Sequence, residues 1–149
     1  MAFEQPSLKG RALRLLSGRE HSRAELERKL QRYEEEPGTL ALALDDLQAK
    51  GFISEQRVVE SVVNRRAAKL GASRVKQELQ AKGLAPEMVA EAVNALRASE
   101  LTRARDVWRK KYGQPPQDAD ERARQMRFLA SRGFGGDTIH RVVSGGEDE

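Results

Sequence analysis

The residues of this chain best suited to do chemistry are cations set beside aromatic rings. Arg65, Arg66 and Lys69 lie close together, Arg74, Lys76 and Lys82 follow, and Arg132 stands beside Gly133. Arg109, Lys110 and Lys111, with Arg103 and Arg105 before them, surround Trp108 and Tyr112. Lysine and arginine meet phosphate or carboxylate oxygens, while rings stack or fill pockets. That mixture suits a nucleic-acid or protein-interface surface. The structural alternative is that such cations only complement helix C-termini. For Trp108 a place in the core is expected.

Catalysis has little to work with. His21 and His140 are the only histidines and are far apart in the chain. Each is expected at a surface or boundary position, not as a base or metal ligand. Ser73-Arg74-Val75-Lys76 spells S-x-x-K, which pairs a nucleophile with a base in some acylating enzymes. The companion motifs are missing, and Ser73 reads as a helix start. Asp45-Asp46 and Asp118-Ala119-Asp120 are paired carboxylates with no histidine nearby, so helix-end charge is the better reading. No Gly-rich phosphate loop of the Walker kind occurs. The expectation is a binding protein with neither an enzymatic centre nor a cofactor.

Composition agrees. Of 149 residues, 38% are hydrophobic, 34% charged and only 5% aromatic. Average domains carry about 45–50% apolar and about 25% charged residues. Several thin helical cores are easier to build from this chain than one thick core. Mean hydropathy is −0.70, and no apolar run approaches the ~20 residues of a membrane span. The N-terminal residues lack the pattern of a secretory signal, and there is no cysteine. A cytoplasmic location without membrane contact is expected. The formal net charge is +4. Acidic residues concentrate at Glu34–Glu36, Asp118–Glu121 and Glu147–Glu149, leaving the middle more basic than the average. Such a surface favours polyanions or a protein with an acidic groove.

The elements that must position these cations read as helix throughout. Ser22-Arg23-Ala24-Glu25 is a capping box, and Pro86 opens a helix at its first position. Three stops share one form: Leu47-x-x-Lys50-Gly51-Phe52, Leu79-x-x-Lys82-Gly83-Leu84 and Leu129-x-x-Arg132-Gly133-Phe134. With Gly at C′, the leucine falls at C3 and the apolar residue at C″, the contact pair of a Schellman motif. Nine short helices follow. Arg65, Arg66 and Lys69 are expected to end the fourth, Lys82 to lie in the fifth and Tyr112 in the seventh.

The helices repeat in threes. Shifting the first third by 49 positions lays Leu26, Leu30, Leu40, Leu44 and Leu47 on Val75, Leu79, Val89, Val93 and Leu96. Shifting the second third by 50 lays Arg74, Leu79, Lys82, Gly83, Val89 and Val93 on Arg124, Leu129, Arg132, Gly133, Ile139 and Val143. Units of such size bury little alone and must lean on their neighbours. The expected fold is all-α: an elongated, curved array of three tandem three-helix repeats. The units are placed at residues 1–50, 51–98 and 99–144, with a disordered acidic tail at 145–149. The first unit has Glu34 where Gly83 would align. Short helices at sharp turns also describe helix-turn-helix nucleic-acid regulators, which is the alternative functional reading.

Several segments resemble the RecX family. They are Arg19–Leu26 with Lys29-Leu30, Gly51–Arg57, Ser73–Leu79 with Lys82-Gly83-Leu84, and Arg127–Phe134. They occur in the family's order and span about residues 10–143. Glu55 stands where the family often has Asp, and Val58 where it often has Phe. The resemblance implies a non-enzymatic regulator that lodges in the groove of the RecA recombinase filament. It would restrain filament growth, ATP hydrolysis and strand exchange, with some low-specificity binding of single- or double-stranded DNA. A monomer is expected. The candidate contacts are Arg65, Arg66, Lys69, Arg74, Lys76, Lys82, Arg109, Lys110, Lys111 and Arg132.

Overall fold

Side-chain caps start some of the helices of this chain, and glycines end many of them. The computed structural model describes residues 5–145, and that span holds α1 (Leu8–Gly18), α2 (Arg23–Leu30), α3 (Thr39–Ala49), α4 (Glu55–Arg66), α5 (Ala72–Ala81), α6 (Pro86–Ala98), α7 (Glu100–Lys111), α8 (Ala119–Ser131) and α9 (Gly136–Val143). A 3-10 turn, Gln31–Tyr33, prolongs α2, and no strand occurs among the described residues. Apart from Gly145, the acidic tail lies outside them.

The capping box of α2 is present, with Ser22 Oγ accepting from Glu25 N and the Glu25 carboxylate accepting from Ser22 N. Ser7, Ser54 and Asp118 cap α1, α4 and α8 from one side only, each accepting from the backbone N–H three residues on. At Gly51 both Schellman bonds form: Phe52 N–H to Leu47 O at 2.9 Å and Gly51 N–H to Gln48 O at 3.1 Å. The pair recurs at Gly133, with Phe134 N–H to Leu129 O and Gly133 N–H to Ala130 O. Leu84 and Phe134 are buried after their stops, whereas Phe52 is 47% exposed. After Gly51 it is the next residue, Ile53, that enters the core. Three boundaries differ from expectation. Helix α4 ends at Arg66, so Lys69 and Leu70 lie in the following turn, and Lys82 and Tyr112 are C-caps rather than helix interior.

Three separate cores result. Leu26, Leu30, Leu40, Leu44 and Leu47 centre the first, enclosed by α1–α3. Val58, Val62, Val75, Leu79, Val89 and Val93 centre the second, within α4–α6. Ala104, Leu129, Phe134, Ile139 and Val142 centre the third, within α7–α9. Each is one thin layer per unit, as the low apolar content requires. The result is an all-α array of tandem units.

The units join through helix ends. At the joint of the second and third units, Gly71 N–H donates to Arg132 O at 2.8 Å, Ser73 Oγ to Gly133 O at 2.8 Å, and the Arg74 guanidinium to Ser131 O. The Glu100 carboxylate, at the first position of α7, accepts from Ala72 N–H at 2.8 Å and from Gly135 N–H and Thr138 Oγ1 at 3.2 Å. The first joint repeats the plan. Ser22 Oγ donates to Lys82 O and Arg28 to Ala81 O. The Glu55 carboxyl, at the first position of α4, is raised from the ordinary range by burial, offset in part by the Arg23 backbone N–H it faces. In both cases the start of one unit's second helix sits on the end of the next unit's second helix.

Glycine is required there twice over. Gly83 and Gly133 have φ of 73° and 90°, a region costly to any residue with a Cβ. In addition, a Cβ on Gly83 would stand 2.6 Å from the Ala24 Cβ, and one on Gly133 would overlap the Arg74 side chain. Gly51 has a similar φ but open space around it. Gly133→Val is therefore expected to cost about 3–4 kcal/mol, strain plus overpacking, and to loosen the second joint. Gly51→Val should cost only about 1–2 kcal/mol of strain. Denaturant melts with small-angle scattering of both variants check this ordering.

Candidate interaction surface

The turn after α4 and the facing sides of α7 and α8 enclose an open groove of about 480 Å³ across the second and third units. Six of the sequence candidates line it: Arg65, Arg66, Lys69, Lys110, Lys111 and Arg132. No carboxylate does; Val107, Leu70, Ala68 and Phe128 form the rest of the lining. The Phe128 ring carries the Arg132 guanidinium at 4.7 Å and the Lys111 ammonium at 5.6 Å, while Tyr112 meets it edge-on. Arg65 and Arg66 share Glu78 from outside the lining, at 3.3 and 3.0 Å. The ion pairs are solvent-exposed and worth little, so a polyanion can displace them.

The other four candidates lie elsewhere. Arg109 is exposed, 3.8 Å from Asp106. Lys76 borders a separate hollow with Gln80, Leu84 and Arg97. Arg74 and Lys82 belong to the joints: Arg74 holds Ser131 O, and Lys82 Nζ lies 3.4 Å from Glu25 Oε2 with its side chain only 13% exposed. Arg103 is also structural. Its guanidinium donates to the carbonyls of Ala67 at the end of α4, Leu70 in the turn that follows and Leu96 in the last turn of α6. Burial lowers its pKa.

Trp108 packs against the third core, and its indole N–H donates to Gln125 Oε1 at 2.8 Å. It is thus a half-buried residue packed on the third core. Ser73 serves the second joint, with Gly71 and not Ser73 as the cap of α5. His21, expected at a boundary, is buried. Its Nδ1 bonds the Arg19 carbonyl, and its Nε2 lies 3.0 Å from Lys29 Nζ. Burial first, and then the cations Arg19 and Lys29, lower its pKa and favour the neutral ring.

Sequence reading missed a second cationic groove. Between the start of α1 and the end of α2 lies a hollow of about 710 Å³, lined by Arg11, Arg14, Arg28, Lys29 and Arg32 around Tyr33. The i, i+3 spacing of Arg11 and Arg14 and the i, i+4 spacing of Arg28 and Arg32 were the available signals.

The fold and surface define a tandem three-helix repeat protein with cationic grooves. Three family models match it in sequence order: RecX, first three-helix domain, over residues 9–47; the second over 54–93; and the third over 98–143. The regulatory protein RecX of Leptothrix cholodnii is 54% identical over 145 residues, covering 96% of this chain and 92% of the relative. That of Herminiimonas arsenicoxydans is 50% identical at the same coverage of both chains. The crystal structure of RecX from Lactobacillus salivarius superposes with a TM-score of 0.72 at 20% identity, covering 93% of each chain. The chain belongs to the RecX family of regulatory proteins.

Glu25 gives the first joint a pH signature. Burial raises its carboxyl, but the Arg19 hydrogen bond, the Ser22 amide and the Lys82 charge outweigh this and hold it at about 2. The folded pKa lies below the unfolded value of 4.5, so the stabilisation is complete above pH 4.5. It is expected to fade as pH falls towards 2, a loss of about 3 kcal/mol. Glu25→Gln should flatten that part of the stability–pH curve, which urea melts between pH 2 and 6 would reveal.

Proposed function

We propose that this protein binds in the groove of the RecA recombinase filament on DNA and inhibits filament growth, ATP hydrolysis and strand exchange. In doing so it would modulate recombinational repair and the SOS response in the cytoplasm. The observation that carries this reading is the groove shared by the second and third units, where six cations from three elements converge with no carboxylate in the lining. Support also comes from family membership and from three tandem units with separate cores joined through their helix ends. A string of units suits a long groove better than a closed pocket. We take residues 1–50, 51–98 and 99–144 as the repeat units and the six groove cations as the principal contacts. Low-specificity contact with single- or double-stranded DNA is part of the same proposal, since guanidinium and ammonium groups meet phosphate as readily as carboxylate.

The mechanism follows from shape. A chain lying across successive filament subunits holds them in one arrangement, and ATP turnover that needs a change between arrangements slows. Added well below one copy per recombinase subunit, the protein should depress DNA-dependent ATP hydrolysis by RecA. An unchanged rate would overturn the proposal. Lys110→Glu with Lys111→Glu should raise the concentration needed for half inhibition by about tenfold, or ~1.4 kcal/mol, with helicity unchanged by circular dichroism.

A further inference from the structure

Five cations line the groove of about 710 Å³ in the first unit, and no described carboxylate joins them there. Arg11 and Arg14 stand on α1, Arg28 and Lys29 in the last turn of α2, and Arg32 in the turn that prolongs it. The unit is not short of acids; they are engaged elsewhere. Glu20 pairs with Arg57, Glu25 with Arg19 and Lys82, Glu27 and Asp45 with Arg23, and Asp46 with Lys9 and Lys50. Glu34 accepts the Leu40 N–H, and Glu35 and Glu36 border an adjoining hollow that reaches Arg11 and Arg32. No ion pair among the described residues includes any of the five groove cations.

What holds these cations is uncharged. Arg11 donates to Gln5 Oε1 at 3.2 Å, Arg28 to Ala81 O at 3.0 Å, Lys29 to His21 Nε2 at 3.0 Å and Arg32 to the Tyr33 hydroxyl at 2.6 Å. The Tyr33 ring orients two of them, with the guanidinium carbons of Arg11 and Arg32 at 3.7 and 4.8 Å from its centroid. A guanidinium stacked on a ring spends its face and keeps the donors along its edge. The charges are therefore positioned but not neutralised. Helix stability does not account for them all. Arg11 and Arg14 stand near the positive end of α1, whose first turn holds no acid, and there the dipole disfavours a cation.

Such a groove suits an extended anion. Arg11 and Arg14 are separated by about 4.5 Å of helical rise, so charge runs along the wall and is not gathered at one point. Packed helices stand about 8–10 Å apart. A single strand can lie between them, whereas a duplex, whose major groove alone is about 12 Å wide, is too broad to enter. An acidic peptide would want an apolar anchor as well, but Leu30 is buried and the Tyr33 ring already carries Arg11.

We propose that the first unit holds a separate site for single-stranded nucleic acid, gripped through its phosphates without regard to sequence. The site is distinct from the groove of the second and third units and does not depend on that groove's binding a recombinase.

Fluorescence anisotropy of a labelled thymidine oligonucleotide with the full chain, and no recombinase present, tests it. Each phosphate contact to a single strand contributes about 0.7 to the slope of log affinity against log salt. Arg14→Ala with Arg32→Ala should therefore make the slope shallower by about 1.4 and weaken binding about 25-fold in about 0.1 M salt. Both side chains are exposed and neither crosses a joint, so circular dichroism should be unchanged. Arg97→Ala with Arg124→Ala removes the same charge from exposed positions outside both cationic grooves, and should cost about threefold at most. A duplex of the same length should bind the wild type at least about tenfold more weakly than the strand. Equal losses in the two variants would reduce the site to diffuse charge and overturn the proposal. So would a larger loss in Lys110→Ala with Lys111→Ala, duplex binding as tight as that of the strand, or displacement of the strand by polyglutamate at equal charge concentration.

Discussion

The end of a helix leaves carbonyls without partners, and its start leaves N–H groups in the same state. Each joint in this protein sets one against the other. The last carbonyls of α8, on Ser131, Arg132 and Gly133, take donors from Arg74, Gly71 and Ser73 at the start of α5. The last carbonyls of α5 take donors from Ser22 and Arg28 of α2. The pairing also brings the positive end of one helix dipole against the negative end of another. It satisfies groups that would otherwise be buried at a cost of about 1–3 kcal/mol each. Three thin cores that share no hydrophobic layer thereby become one array. Gly71, Gly83 and Gly133 matter because their backbones come close enough for these bonds to form.

A second consequence concerns charge. Cations in this chain divide by what they hold. Arg74, Arg103 and Arg28 reach backbone carbonyls, and Lys82 and Arg19 flank the buried Glu25 carboxylate. These set the geometry of the array. Lys69, Lys110, Lys111 and Arg132 remain on the wall of a groove, two of them over the Phe128 ring. The surface offered to a partner thus depends on the structural cations having been placed first, since Arg103 ties α7 to the turn that carries Lys69.

Much of the fold was legible because its punctuation is local. Ser22 with Glu25, Pro86 and the three glycine stops each act within a few residues, and the shifts of 49 and 50 expose the repeat. The joints were not legible. Their acceptors are main-chain carbonyls, which carry no mark in the sequence, so Arg74 and Lys82 read as surface cations when they are structural. Glu100 was equally silent, a single acid at a helix start whose two backbone partners lie about thirty residues away on either side. Six groove residues could be named in advance because they sit in dense runs or beside a stop. The groove of the first unit escaped because Arg11 and Arg14 on α1 stand far in sequence from Arg28, Lys29 and Arg32 at the end of α2 and in the turn after it.

The central claim is that paired helix ends, not a shared core, hold the units in register. Hydrogen exchange of the Gly71 and Ala72 amides measures this directly, because both donate across the second joint and neither lies deep within a helix. Under native conditions both should exchange as slowly as the amide of Leu79 in the neighbouring core. Exchange at the rate of an open turn, with Leu79 still protected, would contradict the account.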